Sequence, residues 1–430
     1  MRKLIWVTLF LLSYWFGSYM VGYKHQGYYI SSDGEGYYMY LQAIFIHGTF
    51  EDIPVITKYE YRPYPGTKKI ATRFTYGVAL MELPFFGIAQ LSRKIQGYKT
   101  DVPFANDISV LLLMSGCFYM VLGLFFVYKT LSRHFQNKRT VYWTCTILFL
   151  GTNLIYYGTR EPAMSHAYSF CLVAALIYIL PSFWRNPSVL HSLTVGFLLA
   201  LISLIRPTNI IFAIVVLFYD VYNWADLKNR IRFIFQNVKT MWLVPFVGIV
   251  MAIPQLMYWH YLSGKWFLNL YWETFQVTFN WTKPEFYKVL FHPCNGFLLY
   301  TPLMWFTLVG MAWTAYKNQL NGRLSVCIFL LTFYMCASWQ LWYFGHAFGY
   351  RPFIEYYPLM VLGLAFYINE LLKSKMQWFK YLNLAVFTLL IIMNLRFLMI
   401  PFYWQVEPDG SKIEDLWKAW NWAIDFSKWK

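Results

Sequence analysis

Long runs of apolar residues recur along the chain, separated by short polar segments. About 20 consecutive apolar residues let a helix cross the ~30 Å hydrocarbon core of a bilayer. Ten runs reach or approach that length: 4–23, 108–128, 140–159, 162–184, 186–205, 240–259, 293–316, 324–345, 353–372 and 381–403. An eleventh, 207–224, is interrupted by Asp220. The pattern predicts an all-α polytopic membrane protein with about 11 transmembrane helices.

Composition agrees with this interpretation and excludes a soluble fold. Of the 430 residues, 58% are hydrophobic and only 13% are charged, against roughly 25% charged in a typical soluble protein. The formal net charge of +16 can indicate a nucleic-acid partner, but in a membrane protein bases first distribute between the two sides of the bilayer. We therefore expect membrane lipids as partners and no nucleic acid.

The distribution of bases predicts the orientation. With the N-terminus inside, the inner segments hold sixteen bases and three carboxylates, and the other face holds the remaining 20 bases and 17 carboxylates. This is the asymmetry that the positive-inside rule describes. Three outer segments are then large, 24–107, 260–292 and 404–430. We expect a polytopic domain over 1–403 with 24–107 as its outer catalytic loop, followed by an interfacial amphipathic tail over 404–430.

One further apolar run, 74–92, contains Glu82 and Pro84. If it spanned the membrane alone, the basic cluster between Lys129 and Arg139 would lie outside, against the positive-inside rule. The run is therefore predicted as a re-entrant or interfacial helix pair on the outer side, one of several outer juxtamembrane helices.

The first chemical motif is the acidic segment 31–38, which follows the first apolar run. Asp33 and Glu35 are flanked by glycines, which suits a carboxylate that must reach an acceptor hydroxyl as general base. Ser32 and Glu35 also fit a capping box for a helix that starts near residue 33. Capping explains Glu35 better than it explains Asp33, so Asp33 is the stronger candidate for the base.

The second motif, 160–166, lies at the predicted outer turn between the third and fourth helices. Pro162 fits the first turn of a helix. That helix presents polar side chains four residues apart: Glu161, Ser165 and Ser169. His166 lies on the adjoining face. A histidine in a membrane helix is often a hydrogen-bonded packing residue, but here Arg160 and Glu161 lie beside it, so Glu161 and His166 are candidates for substrate binding.

A third motif covers 345–355 and is flanked by glycines. Its polar and aromatic candidates for substrate binding are His346, Tyr350 and Glu355. Planar guanidinium groups suit phosphate oxygens, and an arginine near lipid needs an anionic partner. We therefore expect Arg351 and Arg206 to bind a donor phosphate, with support from Arg73 and Arg160.

The sequence specifies no cofactor. The six cysteines lie mostly within predicted helices and show no disulfide or zinc spacing. No phosphate-binding loop for a nucleotide is present. No metal ligand set is predicted, and a divalent metal is left open as a cofactor.

Five short motifs together resemble the membrane glycosyltransferases of the GT-C superfamily. They are the acidic pair after the first helix, the Arg160-Glu161 turn, Arg206-Pro207, the segment 296–302 and the Gly349-Tyr350-Arg351 turn. The chain looks like bacterial polyprenyl-phosphate-sugar transferases akin to protein O-mannosyltransferases and the lipid A aminoarabinose transferase. The resemblance covers the whole membrane layout.

The resemblance implies a polyprenyl-phosphate-sugar donor, inversion at the anomeric carbon and a carboxylate base in the first outer loop. Asp33 matches the position of that base. Protein mannosyltransferases carry adjacent Asp and Glu residues, whereas Gly34 separates Asp33 from Glu35 here. The implied acceptor is a lipid, a glycan or a protein on the periplasmic or lumenal side of a bacterial inner membrane.

Two alternatives of other classes stay open. A transporter or flippase of a lipid-linked intermediate also needs a cationic outward cavity, and its hallmark is a pair of repeat halves with broken helices in matching positions. An O-antigen polymerase or ligase has many helices too, but usually has its dominant outer loop in the second half of the chain.

Overall fold

The computed structural model is mostly helical and describes residues 8–15, 30, 33–54, 60–345 and 348–398, together with residues 6, 414, 417, 418 and 421. The chain divides into two compact units. The first unit comprises Met1–Gly123, Tyr157–Leu217 and Lys228–Thr278, and the second comprises Leu124–Tyr156, Phe218–Leu227 and Phe279–Lys430.

The first half of the described chain begins with a helical stretch at residues 8–15. The helices that follow are α1 (Asp33–Gln42), α2 (Gly77–Ile95), α3 (Asn106–His134), α4 (Lys138–Leu150), α5 (Leu154–Thr159), α6 (Ser165–Arg185), α7 (Val189–Ile205) and α8 (Phe212–Phe218). A π-helical turn at Ala43–His47 extends α1, and a 3-10 turn at Pro207–Ile211 precedes α8. Two short strands, β1 (Tyr61–Pro63) and β2 (Ile70–Thr72), form an antiparallel hairpin.

The second half is helical throughout its described regular elements. Its helices are α9 (Trp224–Gln236), α10 (Val238–Met241), α11 (Leu243–Ser263), α12 (Leu270–Phe275), α13 (Phe286–Phe291), α14 (Phe297–Tyr300), α15 (Met304–Tyr316), α16 (Gly322–Ala337), α17 (Tyr357–Lys373) and α18 (Gln377–Phe397). A 3-10 turn at Arg351–Tyr356 leads into α17.

Membrane character is supported by helix length and composition. Among the described residues, four helical segments are long and apolar enough to cross a bilayer: Asn106–His134, Ser165–Arg185, Val238–Ser263 and Gln377–Phe397. Three more apolar helices are shorter: Val189–Ile205, Pro207–Phe218 and Gly322–Ala337. The expected number of about 11 spans is not confirmed. Residues 16–23 of the first apolar run and nearly all of the 404–430 tail lie outside the described residues.

Several apolar runs are interrupted where polar side chains stabilise a helix end. The run 140–159 divides into α4 and α5 around Gly151. The Asn394 side chain donates to the carbonyl oxygens of Leu150 and Thr152, at 2.8 and 2.9 Å. A buried helix end needs such partners for its last carbonyls. Apolar length alone therefore overestimated the continuity of this segment.

The end of α7 has a different cause, which is the proline that follows it. Arg206 adopts an extended backbone before Pro207, as expected for a residue that precedes proline. The run 207–224 is consequently a 3-10 turn followed by the seven-residue helix α8, which ends before Asp220.

The prediction of a helix pair at 74–92 is wrong, because α2 is one continuous helix with Pro84 inside it. Membrane-protein helices tolerate an internal proline when neighbours satisfy the freed backbone groups. Buried Glu82 accepts a hydrogen bond from the Tyr168 hydroxyl at 3.3 Å. This hydrogen bond gives the Glu82 carboxyl group a polar partner inside the helix packing.

The core of the first unit packs α7 against α6 and α11, and α1 against α2. Gly196 of α7 lets the backbone of α11 approach closely, because a Cβ there would lie 2.9 Å from the carbonyl oxygen of Val244. Small residues at such contacts are typical of helix packing in membranes.

The second unit packs α15 against α16 and α17, and α4 against α17 and α18. Gly310 of α15 meets Gly363 of α17, where a Cβ on either glycine would collide with the facing backbone. The apolar contacts beside this crossing include Leu303, Leu364 and Phe387.

Candidate functional site

The β1–β2 hairpin brings together two charged residues that are distant in sequence. Tyr61 pairs with Thr72, so Glu60 and Arg73 adjoin the same end of the hairpin. The Arg73 Nη2 atom lies 2.5 Å from Oε2 of Glu60. The Tyr258 hydroxyl anchors the hairpin by donating to the carbonyl oxygen of Ile70 at 2.9 Å.

Asp33 joins this pair because α1 lies against the hairpin. The Thr72 hydroxyl donates to the carbonyl oxygen of Gly36 at 3.0 Å. Gly36 also lets α1 approach the ring of Phe74 closely. Asp33 is the first residue of α1, and its Oδ1 atom lies 3.6 Å from Nη2 of Arg73. Asp33, Glu60 and Arg73 form what we call the ionic cluster.

The ionic cluster is only partly open to solvent. The exposed fractions of the side chains are 14% for Asp33, 20% for Arg73 and 7% for Glu60. Burial lowers the pKa of Arg73, but the carboxylates of Glu60 and Asp33 outweigh burial and raise it above its ordinary value. Arg73 is therefore a permanent cation shared by two carboxylates, with Glu60 the nearer.

Two tyrosines connect the ionic cluster to Arg206. Burial raises the pKa of Tyr37, and the Asp33 carboxylate raises it further, whereas Ser165 and Arg206 act in the opposite direction. Burial also raises the pKa of Tyr271, which interacts with Arg73, Asp33 and Arg206. Both phenols are neutral hydroxyl groups near pH 7. Each of the two tyrosines interacts electrostatically with both Asp33 and Arg206.

The segment 160–166 packs beside α1. A Cβ on Gly34 would lie 2.9 Å from the Cβ of Ala163, and the Ser165 side chain hydrogen-bonds Tyr37. The predicted helix start at Pro162 is wrong, because α6 begins at Ser165. The carbonyl of Pro162 instead packs against Gly116 of α3.

The turn before α6 separates candidates that the sequence placed on one helix. Glu161 lies in the turn, where its carbonyl oxygen accepts from the amide of Met164 at 3.1 Å. Arg160 and His166 are buried. The His166 ring meets the Tyr157 ring edge-on, with centroids 5.1 Å apart.

Glu35 differs from Asp33 in burial. It is 2% exposed and lies inside the first turns of α1, between two glycines that pack against protein rather than against open space. Ser32, the other member of the predicted capping box, lies outside the described residues. Asp33, by contrast, has a partly exposed carboxylate, which lies 3.6 Å from Nη2 of Arg73.

The second unit brings together two other predicted motifs, 296–302 and 349–351. Gly349 has a φ of +63°, a conformation that favours glycine. A Cβ there would lie 3.2 Å from Nδ2 of Asn153 and 3.3 Å from Cβ of Tyr300. The Tyr357 hydroxyl donates to Oδ1 of Asn153 at 2.7 Å. We call Asn153, Tyr300, Gly349 and Tyr357 the turn cluster.

The remaining candidates of the second unit adjoin the turn cluster in sequence. Tyr350 is buried, and its hydroxyl donates to the carbonyl oxygen of Cys336 at 3.4 Å. Arg351 begins a 3-10 turn in which Glu355 is fully buried. The Nη2 atom of Arg351 lies near Gly345. His346 lies outside the described residues.

Sequence reasoning missed Glu60, Tyr37 and Tyr271. Glu60 carries no motif of its own, and its role depends on the hairpin, which brings it to Arg73 across the twelve intervening residues 61–72. Tyr37 lies within the acidic segment 31–38, where only the two acids carry a chemical signature, and Tyr271 lies in the separate outer segment 260–292. The alternation of polar and aromatic residues around 60–64 was the one available signal for the hairpin.

Within the described part of the chain, no group of three or more His, Cys, Asp or Glu side chains is arranged to hold a metal ion. No protein-family model matches the chain. No curated protein shows significant similarity to it either.

Proposed function

We propose that the protein is an inverting glycosyltransferase that moves a sugar from a polyprenyl-phosphate donor to a lipid, glycan or protein acceptor outside a bacterial inner membrane. The observation that carries this proposal is the ionic cluster: a partly exposed carboxylate, Asp33, beside a cation and within the electrostatic neighbourhood of a second arginine, Arg206. The residues that form it lie outside the four candidate membrane spans.

In the proposed reaction Asp33 accepts the proton of an acceptor hydroxyl. The acceptor oxygen then bonds to the anomeric carbon, while the bond from that carbon to the donor phosphate oxygen breaks and the electron pair stays on the phosphate. The leaving polyprenyl phosphate gains one negative charge. Arginines positioned for that charge stabilise it in the transition state, a role we assign to Arg206 and Arg351, with support from Arg73 and Arg160.

The contacts of Arg73 favour a second role for this residue, which is to orient the Asp33 carboxylate. Its guanidinium contacts Glu60 at 2.5 Å and Asp33 at 3.6 Å. A cation that is shared in this way orients Asp33 without fully neutralising it, because Glu60 takes the closer contact. Tyr37 and Tyr271, as neutral donors, fit hydroxyl or phosphate oxygens of a bound substrate.

The proposal is tested by incubating the purified protein with a panel of polyprenyl-phosphate sugars and measuring released polyprenyl phosphate by chromatography. We expect release with at least one donor in the presence of a lipid, glycan or protein acceptor fraction, and none with Asp33→Asn. Absence of release across the panel from folded protein would contradict the proposal.

Outward orientation has a separate test by cysteine labelling in a background without the six native cysteines. Pro65→Cys, in the exposed loop of the hairpin, is expected to react with an impermeant maleimide on intact cells. Lys228→Cys, on the predicted inner side, is expected to react only after permeabilisation. Labelling in the reverse order would contradict the orientation and the outward site.

A transporter of a lipid-linked anion is the second candidate, favoured by the interrupted helices. One break occurs at Gly151 within an apolar run, and another occurs at Pro207, where a 3-10 turn separates α7 from α8. Discontinuous helices are typical of transporter binding sites. Movement of a labelled polyprenyl-phosphate sugar across liposomes without cleavage of its phosphate bond would favour this function over transfer.

A further inference from the structure

Helix α9 presents an apolar stripe whose side chains are largely exposed. None of its residues is buried. Trp224, Ile231 and Phe235 are 67%, 47% and 74% exposed, and their spacing of seven and four residues places them on one helical face. Three large apolar side chains on one exposed face indicate a surface that is covered by something other than water.

Basic residues border this stripe. The single acid of α9, Asp226, caps the start of the helix. Lys228 and Arg232 lie on its flank and are exposed, as is Lys239 shortly after the helix. The carboxylate of Asp226 caps the start of the helix by accepting from the amides of Tyr222 and Asn223, at 2.9 and 3.1 Å. The exposed face is therefore cationic as well as apolar.

The opposite face of α9 packs against the Trp184 side chain. The guanidinium carbon of Arg230 lies 3.8 Å from the centroid of the Trp184 ring, and its Nη1 donates to the carbonyl oxygen of Leu217 at 3.3 Å. The Phe233 ring also lies beside Trp184, with centroids 6.0 Å apart. These contacts fix the rotation of the helix and leave the stripe with its flanking bases outward.

The position of α9 in the chain places it at a membrane boundary. Asn237 separates it from the candidate span Val238–Ser263, and the Asn237 side chain donates to the carbonyl oxygen of Phe233 at 2.9 Å. A basic amphipathic helix directly before a membrane span is suited to lie in the headgroup layer, with its apolar stripe toward the acyl chains.

We propose that the exposed face of α9 is a docking surface for anionic phospholipid headgroups of the surrounding bilayer. Trp224, Ile231 and Phe235 enter the boundary between headgroups and acyl chains, while Lys228, Arg232 and Lys239 bind lipid phosphates. Charge complementarity selects anionic over zwitterionic lipid, because a zwitterionic headgroup offers no net charge to the bases. The inference is independent of the proposed enzymatic activity.

The test measures lipid preference of the full-length protein by native mass spectrometry. Wild type is titrated with phosphatidylglycerol and with phosphatidylcholine, and the ratio of their dissociation constants is compared with that of K228Q/R232Q/K239Q. A base near the membrane surface contributes roughly a fivefold preference per charge, so we expect the ratio to fall by at least about fivefold in the triple variant.

The matched control is K94Q/K99Q/K283Q, which removes three exposed bases from other surfaces and is expected to keep the wild-type ratio. Equal phosphatidylglycerol preference in wild type and K228Q/R232Q/K239Q would overturn the proposal, as would a wild type that binds both lipids equally.

A second measurement needs no charge variant. The preference of the wild type for phosphatidylglycerol should decline as sodium chloride rises, because exposed charges are screened within a shorter distance. A solvent-sensitive dye on Phe235→Cys, in a background without native cysteines, should report an apolar environment in phosphatidylglycerol nanodiscs. A salt-independent preference or a water-like dye signal would each overturn the docking surface.

Discussion

The ionic cluster of the first unit and the turn cluster of the second unit use polar residues in different ways. In the ionic cluster, Asp33 and Arg73 carry charge and keep part of their surface open. In the turn cluster, Asn153 and Tyr357 are neutral, fully buried and hydrogen-bonded to each other. Partly exposed, charged groups with perturbed pKa values are typical of functional sites, whereas buried neutral pairs satisfy internal polar groups. We therefore assign the proposed chemistry to the ionic cluster and a structural role to the turn cluster.

The largest effect is expected from Asp33→Asn, which removes the proposed base from the ionic cluster. Loss of a general base costs about 10²–10⁴-fold in rate, so transfer should fall by that factor while expression and donor binding persist. Because Glu60 and Asp33 raise the pKa of Arg73, Arg73 stays protonated throughout the assay range. The acid limb of the wild-type pH–rate profile should therefore report carboxylates.

Glu35→Gln is the matched control, since it also replaces a carboxylate by an amide of nearly the same shape, at the neighbouring acid. The buried position of Glu35 leads us to expect appreciable retained turnover. If Glu35→Gln lost transfer and Asp33→Asn kept it, the base would be Glu35. Full activity in both variants would remove the acidic pair from the mechanism.

The next largest effect concerns Arg206 and Arg351, which we assign to the donor phosphate. A hydrogen bond to a charged group contributes about 1.5–3 kcal/mol, so Arg206→Ala and Arg351→Ala should each raise the donor KM by about 10- to 100-fold. Steady-state kinetics at low donor concentration measures this. Lys68→Gln, at an exposed site, is the control.

The two arginine variants also sharpen the comparison between the clusters. If Arg351→Ala retained full turnover at low donor concentration while Arg206→Ala lost it, the phosphate role of Arg351 would be wrong.

A stability effect of intermediate size is expected in the turn cluster. Tyr357→Phe removes the donor to Oδ1 of Asn153, and a buried polar atom left without its partner costs about 1–3 kcal/mol. Thermal unfolding should shift to lower temperature, while turnover per folded molecule stays unchanged.

Tyr64→Phe in the first unit is the comparison for Tyr357→Phe. It removes a less buried hydrogen bond to Glu273, and we expect a smaller shift in the unfolding temperature. A large loss of turnover in Tyr357→Phe at unchanged stability would contradict the structural role of the turn cluster.

The smallest effects are expected from a pair of helix caps, one in each unit. The Ser188 hydroxyl accepts from the amide of His191 at 3.2 Å, and the Asn137 side chain accepts from the amide of Arg139 at 3.0 Å. Loss of such a cap costs ~1 kcal/mol. Ser188→Ala and Asn137→Ala should therefore lower the unfolding temperature by similar amounts. Two separate unfolding transitions, each moved by one variant, would show that the units unfold independently.

Sequence patterning predicted the helical class and several helix positions, among them α6, α11 and α18. It did not predict where helices stop inside apolar runs. The end of α4 depends on the Asn394 side chain, which lies more than 240 residues away in the chain. The continuity of α2 through Pro84 depends on neighbours that periodicity does not reveal.

For the candidate site, composition and local motifs identified Asp33, Arg73 and Arg206 one by one. Those motifs do not show that Asp33 meets Arg73, because the contact depends on the packing of α1 against the hairpin. Glu60 shows the limit most clearly: a single glutamate in a loop has no local signature, and only strand pairing makes it the nearest partner of Arg73.

The sequence by itself determined a helical chain with segments apolar enough to cross a membrane, because hydrophobic length is a property of consecutive residues. Tertiary structure decided which polar residues meet. The β1–β2 register aligned Glu60 with Arg73, Gly36 let α1 approach Thr72 and Phe74 closely enough to add Asp33, and the positive φ of Gly349 joined the two motifs of the second unit. Each of these outcomes depends on contacts between segments distant in sequence, whose geometry no local pattern encodes.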